Sequence, residues 1–279
     1  MTLNEVKIVA DSGSDMLSLE DVAFSLASLK IMTDERQYVD DADLDIADLV
    51  NYLVSYKGKS TTACPGPGDW YSGFGDAKYV FTISITGNLS GSCNSSRIAA
   101  KDYEEEYPDR RVRVIDSLTA GPEMVLIIEK LRELILAGKS FDEVSAEIDE
   151  YMKTTGLLFI LESMQNLANN GRVSPLVAKA AGLLGIRAMG RASEQGTLEM
   201  LTKIRGEKKC APDTYSAMKA DGYKGGKVRI GNVLNTAFAG KLKDLIIAEY
   251  PDADVKIYTS RGLCSFYAEK GGLMVGFEK

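Results

Sequence analysis

Histidine is absent from all 279 residues. That absence removes Ser-His-Asp and Cys-His catalysis, histidine-ligated metals and imidazole acid–base chemistry together. Any catalysis would fall to carboxylates, lysine, cysteine, tyrosine or a cofactor. Long hydrophobic runs are also missing. None approaches the ~18 apolar residues that a membrane span needs, so no transmembrane segment is expected. The opening MTLNEVKIVADSGSD lacks a basic stretch followed by an apolar one, so no signal peptide is expected. Positive charge is in deficit, with 33 Lys and Arg against 40 Asp and Glu and a net charge of −7. Without clustered cations the chain is a poor candidate for nucleic acid. Cysteine is sparse. Cys64, Cys93, Cys210 and Cys264 form no CxxC pair, which argues against a zinc knuckle and a redox dithiol. A cytoplasmic protein with reduced thiols is the expectation.

What is present is ordinary globular material: 45% of residues are apolar, in a chain long enough for two domains. Val6–Ala10 reads as a buried strand followed by the turn DSGSD. Ser18 is expected to cap a helix running to about Ser28. Leu29–Thr33, Tyr79–Thr86 and Val112–Ile115 read as strands, and Lys59–Cys64 as extended chain. Helical spacing marks 45–56, a helix beginning near Asp69, another before Tyr107, and the stretches Pro122–Ala137 and Phe141–Lys153. Strands alternating with helices predict a parallel, doubly wound sheet over residues 1–155. From Leu157 the pattern changes. Strands at 157–161, 186–189, 198–204, 228–233 and 255–259, with helices between them and a glycine-rich tail, predict an α+β domain over 156–279 with a mixed sheet. The apolar residues of Val173–Met189 are expected to be core, or in part the wall of a cavity.

Three loops in the first half consist of glycine and small hydroxyl residues: Asp11–Asp15 with Ser12, Thr62–Pro67 with Ala63, and Thr86–Ser92 with Ser90, Gly91 and Ser92. Ligands of open α/β sheets bind outside the carboxyl ends of the strands, and all three loops are expected at that edge. Each loop alone is explained by helix capping; together they point to a binding site. No GxGxxG or GxxxxGK[ST] follows a strand and no lysine follows the loops, so hydroxyls and amides suit one carboxylate better than a triphosphate. Asp11 and Asp15 read either as turn caps or as a carboxylate pair able to hold a metal. Cys64 and Cys93 lie beside the loops, but no histidine is available to activate a thiol. Arg172, in NNGRVSP, is a lone cation at a turn, either on the surface or at the cleft.

In order and approximate spacing, DSGSD, TACPGPGDW, ISITGNLSGSCNSS, VIDS, NNGRVS, LLGIRAM and LTKIRGEKK resemble the DegV-like family over essentially the whole chain. The resemblance implies two α/β domains with a long-chain fatty acid between them, and for some relatives presentation of that acid to a fatty acid kinase. It also implies that Thr62 and Ser90 hold the carboxylate, with Gly91 supplying an amide. Two departures stand out. Ala63 replaces a usual serine, and Ala268 falls where the family pattern has histidine. Lys270, two residues on, either reaches the carboxylate from that side or is solvated. The resulting expectation is a fatty-acid carrier that makes no covalent bond and needs no cofactor or metal. The alternatives are a metal-assisted phosphatase or transferase using Asp11 and Asp15, and a lipid-sensing regulatory protein.

Overall fold

The computed structural model describes residues 1–181 and 185–279. In chain order the elements are β1 (Val6–Asp11), β2 (Ala23–Ala27), β3 (Lys30–Thr33), β4 (Gln37–Val39), α1 (Ile46–Ser55), β5 (Ser60–Ala63), α2 (Pro67–Phe74), β6 (Tyr79–Ser84), α3 (Ser92–Glu106), β7 (Arg111–Asp116), α4 (Pro122–Leu136) and α5 (Phe141–Met152). There follow β8 (Thr155–Leu161), α6 (Gln165–Asn169), α7 (Pro175–Ala181), β9 (Ile186–Ala192), β10 (Leu198–Arg205), α8 (Glu207–Ala220), β11 (Val228–Asn232), α9 (Thr236–Glu249), β12 (Val255–Thr259), α10 (Gly262–Ala268) and β13 (Leu273–Glu278).

The first sheet is parallel, in the order β2-β1-β6-β7. The central strands β1 and β6 read as mostly apolar runs because both faces are covered, whereas the edge strands β2 and β7 are partly exposed. On one face Val9 and Val80 pack with Trp70, Phe74 and Tyr103 of α2 and α3. On the other, Ile8, Phe81 and Ile83 pack with Met124, Ile127, Leu131 and Val144 of α4 and α5. The second sheet is mixed, in the order β10-β9-β8-β13-β11-β12, with only β11 and β12 parallel. Along β8 the alternate residues separate cleanly. Leu158 and Ile160 join the core under α8 and α9, while Leu157, Phe159 and Leu161 face the first half of the chain. The two-domain α/β architecture is as the strand pattern predicts.

Three features differ from the sequence reading. The helix expected from Ser18 to about Ser28 is instead a bend followed by β2. Eleven residues make a marginal helix in water, whereas the open edge of β1 offers a full ladder, from Lys7 against Ala23 to Asp11 against Ala27. Second, β3, β4 and β5 form a small antiparallel sheet of their own. Third, the glycine-rich tail is α10 and β13, and β13 lies inside the second sheet between β8 and β11. The glycine there serves packing. A methyl group on Gly276 would lie 2.5 Å from the backbone N of Glu123, so the start of α4 rests directly on β13. Helix α4 is buried on both sides and joins the two sheets. Of the apolar stretch Val173–Met189, Leu183 and Leu184 lie outside the described residues.

Candidate functional site

The facing surfaces of the two sheets enclose a cavity of about 340 Å³, within the ~300–1,000 Å³ range of small-molecule sites. Most of its wall is aliphatic or aromatic. Leu157, Phe159 and Leu161 of β8, Met274 of β13, Leu263 of α10, and Leu29 and Ile85 at strand ends of the first half all line it.

The polar contributors are few and gather from four places: Thr62 with Ala63 and Cys64, Ser90 with Gly91, Arg172, and Tyr267. Thr62 belongs to β5 of the small sheet, paired with Ile31. The Thr62–Pro67 loop therefore reaches the cavity from a different sheet, not from the parallel-sheet edge as the sequence suggested. Ser90 and Gly91 do follow a parallel strand, β6. Ser90 Oγ accepts from the Ser92 amide at 3.2 Å, so it caps the turn into α3 and keeps its own hydroxyl proton to donate. Gly91 is the N-cap residue of the 15-residue α3, where backbone amides are unpaired by the helix itself. A methyl group there would sit 3.3 Å from Cys64 Sγ, so glycine permits the close approach of β5.

Arg172 is half-buried and lines the cavity. Its Nε donates to Leu89 O at 3.2 Å and its Nη1 to Asn170 O at 2.6 Å. Its guanidinium lies 5.6 Å from the centre of the Tyr267 ring. Two backbone acceptors fix the fork, and Nη2 makes no hydrogen bond among the described residues. Tyr267 hydroxyl and Thr62 Oγ1 are 2.7 Å apart. Burial pushes the Tyr267 hydroxyl up in pKa, against the opposing pull of its Thr62 bond, so it stays protonated.

The remaining candidates stand elsewhere. Ser12 is buried and accepts from the Leu29 amide at 3.0 Å; it positions a wall residue without lining the cavity. Ser92 is buried too, and its hydroxyl donates to Asp11 Oδ2 at 2.5 Å. Lys270 is exposed and outside the lining, because Gly271 and Gly272 turn the chain away between α10 and β13. Ala268 is buried in the wall at the position where the family pattern has histidine.

Asp11 and Asp15 do not converge on the cavity. Asp11 accepts from the amides of Gly13 and Ile85 and from Ser92, tying β1 to the end of β6. Asp15 accepts from the Arg261 amide at 2.8 Å. Asp40 accepts from the amides of Gly262 and Leu263, both at 2.8 Å. These carboxylates hold the start of α10, which carries Leu263, Cys264, Tyr267 and Ala268 into the wall. Burial raises Asp11 and Asp15 to about 7 and pushes Asp40 up as well. Cys264 and Cys93 are likewise pushed up by burial, which keeps their thiols protonated and inert.

Tyr267 and Asp40 escaped sequence reasoning. A hydroxyl beside the position of the expected histidine was the available signal for Tyr267. For Asp40 there was none, because its partners lie more than two hundred residues away in the chain.

Two domains with an apolar cavity and a small cluster of donors between them define a protein class, and the chain belongs to the DegV family. The model of that family, described as "Uncharacterised protein, DegV family", matches residues 5–279. A DegV domain-containing protein of Streptococcus pneumoniae is 44% identical over 276 residues, covering 98% of both chains. Among solved structures, the Streptococcus pneumoniae Fatty Acid Kinase (Fak) B3 protein loaded with linoleic acid is 43% identical, with a TM-score of 0.96, over 100% of this chain and 99% of that one. A DegV family protein from Eubacterium eligens loaded with heptadecanoic acid is 44% identical, also with a TM-score of 0.96, over 98% and 99%.

Proposed function

We propose that this protein is a cytoplasmic carrier that binds one long-chain fatty acid between its domains, 1–155 and 156–279, and presents it to a fatty acid kinase. The observation that supports this most is the asymmetry of the cavity. A long apolar wall has its hydroxyls, its open amide and, among the described residues, its single cation confined to Thr62, Ser90, Gly91, Arg172 and Tyr267. The tail lies against Leu157, Phe159 and Met274, and the carboxylate accepts from Ser90, the Gly91 amide, Arg172 and the Thr62–Tyr267 pair. Burying about fourteen methylenes at roughly 0.8 kcal/mol each gives a gross driving force of about 11 kcal/mol. Immobilisation and head-group desolvation offset several of these, leaving affinity in the micromolar to submicromolar range. The polar end therefore sets orientation more than affinity. The protein makes no covalent bond itself; the kinase supplies the chemistry.

Calorimetric titration with palmitate tests the head-group assignment. Ser90→Ala is expected to weaken binding by about 1–2 kcal/mol, the contribution of a hydrogen bond to a charged group, with the protein still folded and its Tm lowered by only a few degrees through the lost cap. Undiminished affinity would reduce Ser90 to a helix cap. In the same titration Lys270→Met is expected to bind as the wild type does, to within ~0.5 kcal/mol, as for exposed substitutions elsewhere. A larger loss would place the ammonium at the carboxylate after all.

A further inference from the structure

Behind one stretch of the apolar wall lies a carboxylate that a single layer of side chains separates from the cavity. Cys264 and Met274 line the cavity. A methyl group on Gly121 would lie 3.2 Å from Cys264 Sγ, 3.2 Å from Met274 Cε and 3.4 Å from Asp15 Oδ2. A methyl group on Gly231, in the second sheet, would lie 3.4 Å from the same Asp15 oxygen and 2.6 Å from Ser260 Oγ. Groups from both domains thus close around Asp15 Oδ2, with Cys264 and Met274 between it and the cavity.

Three buried carboxylates abut this wall, and they differ in what holds their charge. Asp11 accepts from the amides of Gly13 and Ile85 and from the Ser92 hydroxyl. Asp40 accepts from the amides of Gly262 and Leu263. Asp15 has one donor, the Arg261 amide on Oδ1, and its Oδ2 is buried without a partner. Ser260 Oγ and the Tyr258 hydroxyl nearby are buried and unpaired as well. The surrounding charges bring no relief. Arg261 turns its guanidinium to Asp41 O, and Arg229 is committed to Glu129 and Asp254. On α4, Glu123 bonds Thr155 and Glu129 bonds Arg229. Asp11, Asp40 and the Cys264 thiol are acidic groups themselves. A buried carboxyl with one donor and like charges near it favours its protonated form, and burial raises Asp15 to about 7.

We propose that binding of the acyl tail is coupled to uptake of a proton by Asp15. The empty cavity admits water to the near face of Cys264 and Met274. A hydrocarbon chain replaces that water, and the ligand's carboxylate adds like charge. Both changes disfavour ionised Asp15 in the loaded protein. A group whose pKa is higher in the complex contributes fully to affinity below its value in the free protein, and that contribution is lost as pH rises through the bound value. Affinity therefore falls as pH rises above about 7. A rise of one unit on binding makes the loss about tenfold. This rests on the fatty-acid reading above.

Calorimetric titration with laurate from pH 6.5 to 8.5, in phosphate and in Tris, tests it. Wild-type Kd is expected to rise by at least about fivefold across this range, with net proton uptake shown by different binding enthalpies in the two buffers. Asp15→Asn keeps an acceptor for the Arg261 amide but takes no proton. Its Kd is expected to change less than about twofold over the same range, with no uptake. A variant whose Kd shifts equally at every pH while the wild-type slope persists would make Asp15 a mere brace of the wall and overturn the coupling. Should that variant fold poorly, carbon-13 titration of the Asp15 carboxyl in wild-type protein, with and without laurate, reads the same quantity. A midpoint raised by the ligand supports the coupling, and equal midpoints overturn it. If wild-type protein takes up no laurate at any pH, the fatty-acid reading falls and the coupling falls with it. Laurate binding that is independent of pH removes the coupling alone.

Discussion

Replacing Arg229 with alanine is expected to lower the unfolding free energy by about 3–5 kcal/mol, as removing one partner of a buried ion pair does. Arg229 stands on β11 and is 1% exposed. Its Nε and Nη2 donate to both oxygens of Glu129 on α4, the shortest contact being 2.6 Å. Nη2 also donates to Asp254 Oδ2 at 2.6 Å, and Nη1 to the backbone oxygens of Val228 and Asp254. The guanidinium therefore joins α4, which belongs to the first core, to the far edge of the second sheet. Truncation leaves the mostly buried Glu129 without its guanidinium, with Lys256 3.4 Å away, while Asp254 is half exposed and its carbonyl keeps the Val228 amide. Urea denaturation followed by circular dichroism measures the loss. The double variant Arg229→Met with Glu129→Leu is expected to recover most of it, because a well-packed apolar pair avoids the desolvation cost. A loss below about 1 kcal/mol in the single variant would mean that water already reaches this bridge.

Asp15→Asn is expected to stabilise the protein relative to wild type, increasingly so as pH rises from about 4 to about 7. Asp15 is buried; one oxygen takes the Arg261 amide and the other has no hydrogen-bond partner. The groups around it are the Cys264 thiol, Ser260, Tyr258 and the like-charged Asp40, with no cationic side chain in contact among the described residues. Burial raises its carboxyl from 3.8 to about 7. Below pH 4 the group is neutral in both native and unfolded chains, and its contribution to stability is fully present. Between about 4 and 7 the unfolded chain ionises while the native one resists, so stability is lost as pH rises. At ~1.4 kcal/mol per decade the difference reaches about 4 kcal/mol above pH 7. Asparagine has no charge to bury and tolerates the left-handed backbone at this position, φ +61°. Paired urea titrations at pH 4.5 and 7.5 read the effect. Equal stability differences at the two values would mean that Asp15 is ionised without penalty. Exposed carboxylates held low by partners, such as Asp142 beside Arg111, pull the wild-type curve the other way, which is why the variant difference is the informative quantity.

The parallel sheet was legible in the sequence because its central strands are buried on both faces and carry β-branched and aromatic runs that stand out locally. Residues Tyr79–Thr86 and the helix from Pro122 are cases in point. The stretch from Ser18 was not legible, because its hydrophobic spacing fits a short helix and a short strand equally, and the edge of β1 decides. The tail from Gly262 misled for a related reason. Glycine signals flexibility locally, whereas Gly276 is needed by the backbone of α4, which arrives from 150 residues upstream. At the cavity, the loops that carry Thr62, Ser90 and Gly91 were visible as runs of small residues, and the resemblance to the DegV-like family singled out those three. Tyr267 was not, since only folding brings its hydroxyl to Thr62 across 205 positions. Ser12 and Ser92 show the opposite effect: the same pattern marks residues that brace the wall from behind.

The most direct measurement is mass spectrometry of the organic extract of freshly purified protein, paired with native mass spectrometry of the intact complex. The expected result is one long-chain acyl carboxylate per protein chain, displaced stoichiometrically by added palmitate and diminished in the Ser90→Ala variant. Protein that yields no acyl chain and takes up none from a palmitate solution would contradict a fatty-acid site between these domains.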